Sequence, residues 1–337
     1  MLRATAPGKI VLAGEYAVLH GSHAIAAAVD RHAVVEIRPT AEAEIAIQAP
    51  GYAPGTTRYG VNSVGKLIAA DAASQNADFG LFECTWATCD VRLKGGMHIT
   101  LDTTAFVDVT SGRKLGLGSS AALCVALTAA LRPELDAASV AALAGRAHRE
   151  FQGAGSGVDI ACAVAGGFID YRQTPAFVCN VAVPQNLHFA ILWSGRAAST
   201  VAKIQSLQAS LQGRRQRATL QALQEQSDAL ASDWHGGDTA RVFRRFDDYI
   251  TALRAFDADL QLDIFGAGHA ALTDAARDCG MLYKPCGAGG GDVGVAIARD
   301  LMALTEFIAR APEFGFAALD IKAGVDGLQR DGNRHDS

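Results

Sequence analysis

The stretch Lys114-Leu115-Gly116-Leu117-Gly118-Ser119-Ser120-Ala121-Ala122 decides how this chain reads. Two glycines let the backbone pass close to a ligand, two hydroxyls follow, and the apolar run to Leu131 predicts a buried helix. A helix start carries unpaired N–H groups and the positive end of the peptide dipoles, so this junction suits phosphate oxygens. The segment lacks the Gly-x-x-x-x-Gly-Lys-Ser/Thr spacing of a P-loop. No Gly-x-Gly-x-x-Gly sits in a short βαβ unit, so the ordinary dinucleotide reading fails as well.

Two more glycine-rich segments lie far away: Pro7-Gly8-Lys9 through Gly14-Glu15-Tyr16, and Lys284-Pro285-Cys286-Gly287-Ala288-Gly289-Gly290-Gly291-Asp292. A single site assembled from distant parts of the chain accounts for all three most economically.

The chain has 337 residues, half of them hydrophobic, which suits a two-domain globular enzyme with ample core material. Its formal charge of -5 argues against nucleic acid as a partner. Seven scattered cysteines, several inside apolar runs, read as reduced core residues. Cys84 and Cys89 have no second pair at zinc-ligand spacing and are expected within or beside a strand. The opening residues read as a strand rather than a signal segment, and no apolar run is long enough for a membrane span. The expectation is therefore a cytoplasmic protein with no membrane partner.

Strand signals dominate the first half: Lys9 to Leu12, Ala33 to Arg38, Glu44 to Gln48, Cys84 to Thr88 and Met97 to Leu101. Helices are expected from Ser119 to Leu131, from the N-cap Asp136 to about Phe151, and from Val158 to Val164 after a Gly-Ser-Gly loop. Residues 200 to 280 read as long amphipathic helices broken at Gly236-Gly237. Val293 to Ala298 then reads as strand, Asp300 to Ala309 as helix and Phe316 to Ile321 as strand. The fold class is α+β in two domains, 1–180 and 181–337.

The three loops, in this order over nearly the whole chain, resemble those of the GHMP kinases. Ala6-Pro7-Gly8-Lys9, Ala13-Gly14-Glu15-Tyr16 and Val29-Asp30-Arg31 are most similar to members of that family that phosphorylate phosphomevalonate, as are Arg113 to Ser120, Ala198-Ser199-Thr200 and the Gly-Gly-Gly-Asp end of the third loop. Two features depart from that pattern: Cys286 stands where a hydroxyl is usual, and Leu19-His20-Gly21 is more like the mevalonate-phosphorylating members. His148 falls where those members carry a magnesium-associated glutamate, with Glu150 out of register.

The resemblance implies a ribosomal protein S5 domain 2-like N-terminal domain, a ferredoxin-like C-terminal domain and a cleft between them. It implies ATP and Mg2+ as cofactors and a small-molecule acceptor, phosphomevalonate or a related compound. Lys9 and Asp159 take the catalytic roles. Lys114, Gly116, Leu117, Gly118, Ser119, Ser120 and Ala121 hold the nucleotide, with Ser120 the metal-linked hydroxyl. Tyr16, His148, Ser156, Gly157, Ser199, Gly287, Ala288 and Gly289 face the acceptor, and Arg146, Arg149, Arg196 and Lys203 are candidate cations for its phosphate. A hydroxyl-phosphorylating kinase and a catalytically silent sensor are the alternatives.

Overall fold

The computed structural model describes residues 1–63, 65–71, 78–91, 95–198, 200–211 and 213–331. Strands β1 (Leu2–Ala13), β2 (Ala24–Thr40), β3 (Ile45–Ala49), β4 (Ala53–Val61) and β5 (Leu67–Ala69) are followed by helix α1 (Gly80–Cys89) and β6 (Gly96–Asp102). Then come α2 (Ser119–Leu131), α3 (Ala137–Gln152), α4 (Val158–Ala165), β7 (Phe168–Arg172), β8 (Phe177–Val181) and β9 (His188–Trp193). The second half runs α5 (Thr200–Ser210), α6 (Arg214–Gly236), α7 (Thr239–Leu260), α8 (His269–Asp278), β10 (Leu282–Pro285), β11 (Val293–Ala298), α9 (Leu301–Arg310), β12 (Ala317–Leu319) and β13 (Gln329–Asp331).

Two sheets result. The first runs β13-β1-β2-β6-β3-β4-β5, with β7 pairing the opening residues of β2, and β8 pairing β7. The second, β10-β11-β9-β12, is antiparallel throughout. Alternation in β9 and β11 explains its layering. Ile191, Val295 and Ile297 face the core shared with α6, α7 and the first sheet, which includes Ile10, Leu12, Trp234 and Phe256. Leu192, Ala296 and Ala298 face α8 and α9 through Leu272, Leu304 and Phe307. The other face of the first sheet is covered by α1, α2 and α3, with Trp86, Val125 and Val140 against Val35, Ile45 and Ile99.

The chain changes sheet between β8 and β9, yet its end returns. Backbone N–H groups of Gly324 and Leu328 donate to Ala28 and Val164, and β13 pairs with the outer edge of β1.

Helix α2 begins at Ser119, and Asp136 caps α3 by accepting from the Ser139 N–H at 2.8 Å. The expected strand at Cys84 to Thr88 is instead the second half of α1. Its Phe, Trp, Thr and Cys favour strands, but Phe82, Thr85, Trp86 and Cys89 recur at helical spacing and bury one face. Cys84 and Cys89 therefore sit on a helix. All seven cysteines are free thiols. No helix among the described residues is long and apolar enough to cross a membrane.

Candidate active site

The three glycine-rich segments converge. At Pro7/Gly8 the β1–β2 register shifts, and the Lys9 N–H donates to the Leu117 carbonyl at 2.8 Å. A Cβ on Gly8 would lie 2.6 Å from that same carbonyl oxygen, so only glycine lets the first segment pass under the second. Gly118, at φ 79°, is the N-cap of α2 and supplies no side-chain cap, leaving the first-turn amides for a ligand. The Lys9 stem runs beside it: a Cβ on Gly118 would be 3.3 Å from Lys9 Cγ and Cε.

The first segment is fastened to the third by buried polar groups. The Glu15 carboxylate pairs with the Lys284 ammonium, their side chains 1% and 0% exposed. Tyr249 donates its hydroxyl to Glu15 Oε2 at 2.6 Å and accepts the Gly14 N–H at 2.9 Å. Tyr16, at φ 62°, donates its hydroxyl to the Ala288 carbonyl at 2.6 Å. Burial, then the charges of Asp257 and Glu15, raise the Tyr16 pKa and keep that hydroxyl protonated as a donor. On the far side of the third loop, buried His269 meets the Tyr283 hydroxyl at 2.9 Å and the Gly291 carbonyl at 3.1 Å.

Between these segments lies a cleft of about 290 Å3. It brings together Lys9, Tyr16, Lys114, Gly116, Leu117, Gly118, Ser119, Ser120, Ser156, Asp159, Gly287 and Ala288 from those expected. Asp159 stands in the first turn of α4, whose N-cap is Gly157. Among the described residues neither Lys9 nor Asp159 has an ion-pair partner within 4 Å, and the Asp159 carboxylate accepts the Ile160 N–H at 3.0 Å, so neither charge is neutralised by a partner.

Other expected residues lie elsewhere. Ala121 is buried in α2, Gly157 packs beneath the Tyr171 hydroxyl, and Gly289 packs on Ile264. His148 is buried behind Ser120, its Nε2 3.1 Å from Ser120 Oγ. Burial lowers its pKa, with Arg149 and Lys9 adding to the effect and Asp159 opposing it, so it is a neutral imidazole at neutral pH. Ser199 lies outside the described residues. Arg146, Arg149 and Arg196 are exposed and do not line the cleft, and the Lys203 ammonium donates to the carbonyls of Leu262 and Asp263. Cys286 is 6% exposed in the core rather than in the cleft, and burial pushes its thiol up to about 11.

A second hollow of about 260 Å3, which no sequence motif announces, adjoins the cleft. Tyr52, Phe79, Phe82, Phe151 and Leu123 line it, and it shares Phe106, Lys114, Ser119 and Ser120 with the cleft. The Lys114 ammonium lies 5.7 Å from the centre of the Tyr52 ring, and Tyr52 closes the rim by donating to the Asp78 carbonyl at 2.6 Å. An aromatic slot beside a phosphate-type helix start has the form of a nucleotide site.

Among the described residues no three His, Cys, Asp or Glu side chains cluster as a metal cage. The Ser120 hydroxyl at the helix start, with the Asp159 carboxylate in the same cleft, instead fits a magnesium ion that takes its remaining ligands from phosphates and water.

Known proteins resemble both sequence and fold. The family model for the GHMP kinases N terminal domain matches residues 81–167, from α1 to the end of α4. A phosphomevalonate kinase from Streptomyces sp. strain CL190 is 30% identical, over 96% of this chain and 97% of its own. A solved Listeria innocua protein superposes with a TM-score of 0.86 at 23% identity, covering 98% and 99% of the two chains. A Streptococcus pneumoniae phosphomevalonate kinase, solved with phosphomevalonate and AMPPNP, gives 0.77 at 19% identity, covering 96% and 100%. With a relative this similar along almost its entire length, and the family's model laid across the helices that frame the cleft, the chain belongs to the GHMP kinases.

Proposed function

We propose that this protein transfers the γ-phosphoryl group of ATP to 5-phosphomevalonate, giving 5-diphosphomevalonate and ADP. The observation that carries the reading is the convergence of Lys9, Asp159 and the open start of α2 on one cleft. The near full-length similarity to a phosphomevalonate kinase supports the choice of acceptor.

In this reading the adenine lies in the aromatic hollow and the phosphates lie along Gly116 to Ser120, where Lys114 lines both spaces. A terminal phosphate oxygen of the acceptor attacks the γ-phosphorus as the bond to the β-bridging oxygen breaks. That oxygen is already an anion, so the protein's work is positioning and charge compensation. Lys9 sets its ammonium against the transferring group, and Asp159 orients the acceptor from the start of α4. Ser120 would hold a magnesium ion, which when bound draws charge from the phosphate oxygens. Neutral His148 behind Ser120 fixes the direction of that hydroxyl. The division into units 1–180 and 181–337 belongs to the same proposal. The change of sheet between β8 and β9 supports it, with the segment from Lys322 to Asp331 crossing back.

Parallel turnover assays with ATP and magnesium test the acceptor. Phosphomevalonate should be consumed and mevalonate left untouched. Transfer to mevalonate alone would give the protein to the hydroxyl-phosphorylating alternative, and nucleotide binding without transfer to either would make it a sensor.

A further inference from the structure

Asp292 ends the third loop and is unlike every other acid of the cleft. Its backbone is left-handed, at φ 52°, and locked: its N–H donates to the Arg196 carbonyl at 2.6 Å, while its own carbonyl accepts from the Ser194 N–H and hydroxyl, both at 2.9 Å. Its carboxylate accepts from the Ala198 N–H at 3.2 Å and is pressed onto the nucleotide loop. A Cβ on Gly116 would sit 2.3 Å from Asp292 Cγ, so the glycine there makes room for the acid. Asp292 also lines the cleft, and among the described residues no cation pairs with it within 4 Å. Burial raises its pKa, and the Ala198 N–H and the charge of Lys9 hold it down.

A fixed negative charge beside an anion cradle is costly unless it is used. An uncomplexed triphosphate brings about four negative charges to the loop, and a divalent cation removes two of them, so the repulsion falls sharply when the metal arrives with the nucleotide. We infer that Asp292 is a positioning residue that braces the nucleotide loop through Gly116 and makes the cleft reject metal-free nucleotide. It is a filter on the charge state of the phosphoryl donor and holds no metal itself. The inference rests on the kinase reading above.

The test is equilibrium binding of AMPPNP by calorimetry, once with magnesium and once with EDTA, to the full chain and to Asp292→Asn. Asparagine keeps the shape, the acceptor for Ala198 and tolerance of left-handed backbone while removing the charge. Metal-free AMPPNP should bind the variant about tenfold more tightly than the parent chain, with the magnesium complex changed less than twofold. Asp292→Gly, also neutral and at ease with left-handed backbone, is read by the same ratio of metal-free to magnesium-complex affinity if the asparagine chain does not fold. Equal discrimination by the parent and the neutral variants would overturn the inference and leave the kinase reading intact. Absence of AMPPNP binding by the parent chain in both buffers would overturn both.

Discussion

Acid should weaken this protein through His269 over a defined pH range. The Gly291 carbonyl can only accept, so Nε2 of the neutral ring carries the hydrogen and Nδ1 accepts from the Tyr283 hydroxyl. His269 is 0% exposed, and burial, with Lys284 adding to it, holds its pKa down to about 4 from the ordinary 6.5. Between those values the unfolded chain takes up a proton that the folded chain refuses. The stabilisation is complete above pH 6.5 and is lost as pH falls toward 4. The gap is worth about 3 kcal/mol at pH 4, of which about 2 kcal/mol is lost between pH 7 and pH 5. Glutamine at this position offers an N–H to Gly291 and does not titrate. Urea unfolding of the parent chain and of His269→Gln, followed from pH 7 to pH 5, separates this term from the carboxylates common to both. The parent should lose about 2 kcal/mol more than the variant over that range. Parallel stability curves would refute both the neutral assignment and the part His269 plays in supporting Gly291.

Lys284→Met leaves the Glu15 carboxylate buried without its cation and should cost about 3 to 5 kcal/mol in urea unfolding. Part of this should return in the double variant Glu15→Gln/Lys284→Met. Gly116→Ala places a methyl into Asp292 at a left-handed position, so nucleotide affinity should fall at least about tenfold in a calorimetric titration while the far-UV spectrum is kept. Lys9→Ala and Asp159→Ala should each lower kcat by about a hundredfold or more and change nucleotide affinity by less than about threefold, measured by steady-state kinetics beside direct binding.

What could be read from the sequence was local. The start of α2 after Gly118, the Asp136 cap and the Gly236-Gly237 break each announce themselves within a few residues, because capping and backbone freedom act at short range. The helix at Gly80–Cys89 was hidden because its side chains prefer strands and only its packing against α3 and the sheet makes it helical. In the site, Lys9, Gly116 to Ser120 and Asp159 stood out through their loops. The aromatic hollow draws Tyr52, Phe79, Phe106 and Phe151 from separate segments that share no motif. Asp292 was legible as the end of a signature but not as a wall of the cleft. Lys203 was expected near the acceptor, yet two carbonyls claim its ammonium, a competition no linear reading displays.

The return of the chain to β1 bears on how the protein is made. Synthesis runs from the N-terminus, and domains tend to fold in the order they emerge. Here the outer edge of the sheet built by the first 181 residues is covered by Gln329 to Asp331, which leave the ribosome about 150 residues later. Until that segment is made the first sheet keeps a bare strand margin, so its edge closes only after the second half of the fold has been synthesised.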